Sequence, residues 1–317
     1  GCVAVRKPED IPSHMKFGQK VALELDTASY STVSRLKRAF GLEAEPADAS
    51  AVMRAVRAVK TPAEIAMIRR SAERHERVYQ MVPKLFHEGM TDLELQIEIE
   101  RVSRLEGSLG QFRICGDTME IYMGNVLAGN NADNPTPYDF AMGGEGISPS
   151  LPVGANGTTI EEGSTVMVDM NGNFTGYMTD MTRVYSLGSI SDMAMRAHQC
   201  SVDICAEFSR RARPGVAASD LYEMAAVMAR EAGLEPYFMG HRQKAAFVGH
   251  GVGIEINESP VIAPRSKNIL AEGNVIALEP KFVIPGTGAV GIENTYLITA
   301  DGAECLTNAP EQIVNLQ

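Results

Sequence analysis

The chain has 317 residues, 44% of them hydrophobic and 22% charged, and a formal net charge of −11, the composition of a soluble globular protein able to bury a sizeable core. The acidic balance disfavours nucleic acid as a partner, since binding it rests on clustered Lys and Arg that neutralise phosphates. The sequence contains no run of about 18 apolar residues and no charged start followed by an apolar stretch, so neither a membrane span nor a signal peptide is read from it and a cytoplasmic location is expected.

Residues 1–50 carry one strand-like run, VALEL at 21–25, and a basic helix at 31–41, too little for an independent domain. The first firm helix opens at Thr61, which caps it, with Pro62 in the first helical position and Glu64 reaching back to the cap. Ile65, Ile68, Ala72, Tyr79 and Val82 form its buried stripe. His75 falls on that stripe and reads as a core histidine. A second capping box, Thr91 with Glu94, opens a helix that presents Leu95, Ile99 and Val102 on one face and stops at Gly107. Residues 124–163, rich in Gly, Asn, Pro and Ser, show little periodicity and read as a long functional or mobile loop.

Strand-like runs at 164–170 and 174–187 precede helices at 191–212 and 218–232, and further strands follow at 274–284 and 289–299. Val, Ile, Thr, Tyr and Phe dominate the strands, and Gly-rich turns join them in pairs. The chain is therefore α+β, with helices and antiparallel hairpins in two successive sets, as if one kind of unit were used twice. Five cysteines, Cys2, Cys115, Cys200, Cys205 and Cys305, form no C-x-x-C pair and read as reduced, mostly buried thiols. Met224 and Met228, at helical spacing, read as core filling.

Chemistry concentrates in four acids and one histidine. The turn run Asn171–Gly176 lies between Asp169 and Asp180, and Pro285–Gly288 lies midway between Glu279 and Glu293, so each acid is expected to face its partner across a hairpin. Like charges at such positions repel, their Cβ atoms being about 4.5–5.5 Å apart. His250, in V-G-H-G-V-G, is flanked by glycines that free the backbone to present its ring. Four carboxylates beside one imidazole among apolar strand residues are costly without a proton or a cation. Two divalent ions would neutralise them. Arg183 is expected to hold an acid or a backbone carbonyl nearby. Glu255 and Glu258 read as solvated loop acids, with proton transfer as the alternative.

V-D-x10-D-x-T-R around Asp169, Asp180 and Arg183, G-H-G-V-G and E-x-P around His250 and Glu258, E-P at Glu279, and G-I-E-N-T at Glu293 together resemble the pita-bread metallopeptidase family of methionine aminopeptidase, aminopeptidase P, prolidase and creatinase. The match spans roughly residues 54–309 and sits closest to the prolidase and Xaa-Pro aminopeptidase branch. It implies a pseudo-twofold pita-bread catalytic domain over residues 57–317, preceded at 1–56 by the remnant of a creatinase-type N-terminal domain. It also implies that Asp169, Asp180, His250, Glu279 and Glu293 bind two divalent ions, Mn, Co, Fe or Zn, and that Glu279 takes the proton of the water attacking an amide. A homodimer and a small peptide or amide substrate are implied in the same way.

Three outer positions depart from the family pattern. No histidine follows Pro near Leu151-Pro152, Asn257 stands where a second histidine usually precedes the Glu of the E-x-P motif, and Gly291 replaces a carboxylate-clamping arginine. Asn257 donates and accepts hydrogen bonds without shuttling a proton near pH 7, which assigns it a substrate-directed role in place of the histidine. The expected activity is hydrolysis of a small peptide or peptide-like amide, of the Xaa-Pro dipeptidase or aminopeptidase kind. The alternatives are a non-peptidase reaction of the same fold, creatinase-like amidine hydrolysis or a lyase step, and binding without turnover.

Overall fold

A computed structural model describes residues 2–16, 18, 20–113 and 123–317; Cys115 lies outside them. The chain divides into two compact units, the smaller ending at Arg57 and the larger starting at Ala58. In the smaller, β1 (Ala22–Leu23) pairs in parallel with β2 (Ala47–Asp48), and α1 (Tyr30–Ala39) starts where the Ser29 hydroxyl accepts the Thr32 N–H. A further helix, α2 (Ser50–Ala58), is not among the elements expected from the sequence.

The larger unit holds α3 (Pro62–Leu85), α4 (Asp92–Leu105), β3 (Gly124–Ala128), β4 (Thr165–Asn171), β5 (Asp180–Ser186), α5 (Asp192–Arg211) and α6 (Ala218–Glu231). After them come β6 (Gly249–Gly251), β7 (Glu258–Ile262), β8 (Val275–Leu278), β9 (Lys281–Ile284), β10 (Gly288–Gly291), β11 (Asn294–Ile298), β12 (Ala303–Cys305) and β13 (Val314–Asn315). Both expected capping boxes form: Thr61 and Thr91 each accept from the backbone N–H three residues on, and Glu64 and Glu94 return the bond. His75 is 1% exposed, with Nδ1 3.0 Å from the Thr179 hydroxyl.

Among the described residues the strands form one sheet in the order β13-β5-β4-β3 and another in the order β12-β11-β8-β6-β7, with β9 and β10 as a separate hairpin. Val78, Val82, Leu95 and Ile99 meet Val126, Val168 and Met181 in one core. Ile204, Phe208, Leu221 and Ala225 meet Ile276, Leu278 and Ile298 in another. Each half is thus a helix pair laid on antiparallel strands, the doubled α+β arrangement the sequence suggests.

The stretch 124–163 is not loop throughout. Its first five residues are β3, antiparallel to β4 and buried at every position. A strand covered on both faces has no alternation to reveal it, and five residues are too few for a periodic signal. The rest of the stretch is pinned by Asp92, whose carboxylate accepts from Asn131 Nδ2 and from the Gly157 N–H, both at 2.9 Å.

Candidate metal centre

The acid hairpins differ in register. In the second, Gly291 faces Lys281 and Asn294 faces Leu278, one continuous register that sets Glu279 across from Glu293, as expected. In the first, Asp169 faces Thr182 and Asp180 faces Asn171, so the two aspartates are diagonal neighbours, not opposed ones. The connection is longer than its Asn-Gly start suggests, because Gly172 and Thr179 still exchange backbone hydrogen bonds beyond the ladder. A shift of two residues preserves the face, since side chains alternate with period two. Both aspartates therefore still point at the same spot.

Glu293 couples the halves. It exchanges backbone hydrogen bonds with Thr182 of β5, and its Oε2 accepts the Thr182 hydroxyl at 2.8 Å. Beside it, the Thr295 hydroxyl accepts the Asp180 N–H at 2.9 Å and donates to the Asp180 carbonyl at 2.8 Å. From the other side, α5 holds the backbone just before Glu293: the Gly291 N–H donates to His198 Nδ1 at 3.2 Å and the Ile292 N–H to the Ser201 hydroxyl at 2.9 Å.

The five residues converge and are buried, none more than 7% exposed. Two groups within them bring ligand atoms within 4.8 Å of one another, Asp180 with His250 and Glu293, and Asp169 with Glu279 and Glu293. His250 Nδ1 donates to the Gly251 carbonyl at 3.1 Å, which turns Nε2 toward the acids; burial opposes a charge on the ring, but the Glu279 carboxylate outweighs it and raises the group above its ordinary value. Nε2 is 3.3 Å from Glu279 Oε1 and 3.9 Å from Asp180 Oδ2. Glu293 Oε1 is buried and has no hydrogen-bond partner. A buried carboxylate oxygen without a hydrogen-bond partner, on a residue grouped with an imidazole and further carboxylates, is what a divalent cation fits.

Lys281 is a residue that sequence reasoning missed. Its side chain is 0% exposed, and its Nζ donates to Glu279 Oε2 at 2.7 Å, Asp169 Oδ2 at 2.8 Å and Glu293 Oε2 at 3.2 Å. Two residues beyond Glu279 in an extended run, it projects to the same face, a placement the sequence already contains. Metal ions are thus not the sole source of positive charge in the cluster, and the electrostatic argument from four acids and an imidazole is corrected by one ammonium.

The protonation equilibria reflect this geometry. Burial would lower the Lys281 ammonium, yet the charges of Asp169, Glu279 and Glu293 outweigh it and hold the group well above its ordinary value. Burial raises Asp169 to about 6 against the pull of Lys281. Asp180 is pushed well above the carboxylate range by burial and then by Glu293, Asp169 and Glu279. The Lys281 charge opposes that rise without reversing it.

The acids floor a cleft walled by Phe112, Phe140, Phe247 and Ile256, with Asn257 and Asn171 among its polar lining. Arg183 is 2% exposed and donates to the carbonyls of Thr182, Glu293 and Ala309, the expected supporting role. Glu258 is not a solvated acid: its side chain is 4% exposed, lies 2.9 Å from Lys60 Nζ and accepts from the N–H groups of Ile254 and Glu255. At Gly291 φ is +123°, and a Cβ would lie 2.7 Å from the Pro280 carbonyl, so the backbone there excludes an arginine.

The family model described as metallopeptidase family M24 matches residues 66–300. The Xaa-Pro dipeptidase of Pyrococcus furiosus is 27% identical over 313 residues, 98% of this chain and 80% of that protein. The probable dipeptidase PepE of Mycobacterium tuberculosis is 28% identical over 309 residues, covering 97% and 73%. The crystal structure of X-Pro aminopeptidase from Thermotoga maritima MSB8 superposes with a TM-score of 0.80 at 25% identity, covering 97% of this chain and 78% of that one.

Proposed function

We propose that this chain, which belongs to metallopeptidase family M24 and has its pita-bread α+β fold, hydrolyses short peptides in the cleft above Asp169, Asp180, His250, Glu279 and Glu293. The observation that carries the reading is the convergence of these five buried side chains in two ligand groups that share Glu293, whose Oε1 has no hydrogen-bond partner. Relatives named as Xaa-Pro dipeptidases and an X-Pro aminopeptidase favour dipeptides and tripeptides containing proline as substrates. Mn, Co, Fe or Zn suits a donor set of carboxylates with one imidazole. When bound, such an ion makes water more acidic and polarises the amide carbonyl.

The protein's own groups do the rest. Glu279, at the cleft floor, accepts the proton of the attacking water and delivers it to the leaving amine as the C–N bond breaks. Asn257 donates a hydrogen bond to the substrate carbonyl. The phenylalanine walls exclude bulk water, which strengthens each of these interactions. We place the enzyme in the cytoplasm, as a homodimer, with residues 1–56 the remnant of a creatinase-type domain. Five ligands are the complement of a two-ion centre, and Lys281 stands among three of them.

Incubation of the purified chain with Mn(II) or Co(II) and a panel of dipeptides and tripeptides tests this reading. Release of free amino acids is expected, abolished in Glu279→Gln. A Glu279→Gln variant that turns over at the wild-type rate refutes the role of Glu279, and a panel left intact by metal-loaded protein refutes the peptidase.

A further inference from the structure

We propose that the Lys281 ammonium is a built-in substitute for one of the two cations expected among these acids, so that the chain takes up a single divalent ion at Asp180, His250 and Glu293. The inference rests on the peptidase reading only for the ion's place.

Geometry carries it. The three acids that surround Nζ at 2.7–3.2 Å, Asp169, Glu279 and Glu293, are the same three whose oxygens form the second of the two ligand groups. A first-row divalent ion bonds carboxylate oxygens at about 2.0–2.2 Å. An ion drawn to this group would occupy the volume of Nζ, and two cations at that separation repel strongly in a buried site. The ammonium cannot step aside, because its side chain has no exposed surface and leaving the acids would strand it desolvated.

Glu293 divides its two oxygens accordingly. Oε2 accepts from Lys281 and from Thr182, while Oε1 has no hydrogen-bond partner, and Glu293 is also grouped with Asp180 and His250. The site thus keeps one fixed cation and one exchangeable position. The exchangeable position includes Asp180 and His250, which are not among the three acids that Lys281 contacts.

Metal content and Mn(II) resonance of the full chain test the proposal without any assay of activity. After equilibration with excess Mn(II) and removal of loose ions, the wild type is expected to retain one ion per chain and to give the resolved hyperfine pattern of an isolated Mn(II). Lys281→Ala is expected to retain two, with the broadened signal of an exchange-coupled pair. Two ions in the wild type overturn the inference and leave the peptidase reading standing, whereas none in the wild type overturns both. Should Lys281→Ala fold poorly, the wild-type count alone decides. A well-folded Lys281→Ala that still binds one ion shows that the lysine is not what closes the second position.

Discussion

Thr182 shows how a residue outside the ligand set determines what the ligands do. Its backbone bridges to Glu293 and its hydroxyl occupies Glu293 Oε2 at 2.8 Å, which fixes the carboxylate and leaves Oε1 without a hydrogen-bond partner. Groups that orient metal ligands in this way are worth about 10–100-fold in metal affinity. Thr182→Val keeps the β-branched shape and deletes the hydroxyl, so affinity for Mn(II), measured by competition with a chelator, is expected to fall within that range. Unchanged affinity would remove Thr182 from the site. The Lys60–Glu258 pair offers a contrasting case, with side chains 1% and 4% exposed. Removing one partner of a buried ion pair costs about 3–5 kcal/mol, because the other charge stays desolvated. Lys60→Met should destabilise the fold on that scale in urea titrations, and a loss below about 1 kcal/mol would mean the pair behaves as a surface contact.

At the scale of elements, α3 carries a histidine that makes stability depend on pH. Burial first, and the Arg183 charge second, hold His75 at about 3, below the unfolded value of about 6.5. The unfolded chain therefore binds the proton first as pH falls. The contribution is fully present above about pH 6.5 and is lost toward pH 3, at up to about 1.4 kcal/mol per pH unit. His75→Asn should flatten the acid limb of the stability profile between pH 4 and 6, and parallel profiles would assign the acid sensitivity to other groups. What the sequence made legible also sorts by element. Both capping boxes and the stripes of α3 and α4 could be read because their signals are local. The second acid hairpin could be read because its turn is short. The first slipped by one residue pair, since its glycine run starts a longer connection, and β3 escaped because a strand buried on both faces has no alternation. Lys281 was visible as a letter beside Glu279, but its burial against three acids depends on pairing across the hairpin and between the two halves, which no local pattern encodes.

The molecule as a whole is held together where its charge is most crowded. Asp169 and Asp180 come from the sheet of β3, β4 and β5, whereas His250, Glu279 and Glu293 come from segments in and around β6, β8 and β11. An ion bound to Asp180, His250 and Glu293 therefore ties the two halves and finds no such ligand set in the unfolded chain. Binding to the native state alone stabilises it by RT ln(1 + [L]/Kd), about 2.7 kcal/mol at a hundredfold excess over Kd. Calorimetric scans should accordingly show a Tm that rises with the logarithm of Mn(II) concentration and falls in chelator. Lys281→Ala sharpens the prediction, because it removes the ammonium that three of the four carboxylates contact and the metal-free protein should melt earlier than the wild type. Its metal-induced rise in Tm should then exceed that of the wild type. Equal rises in the two proteins, or a wild-type Tm indifferent to chelator, would mean that the acids are neutralised by their own protons, and the link between charge, metal and stability would fail at its first step.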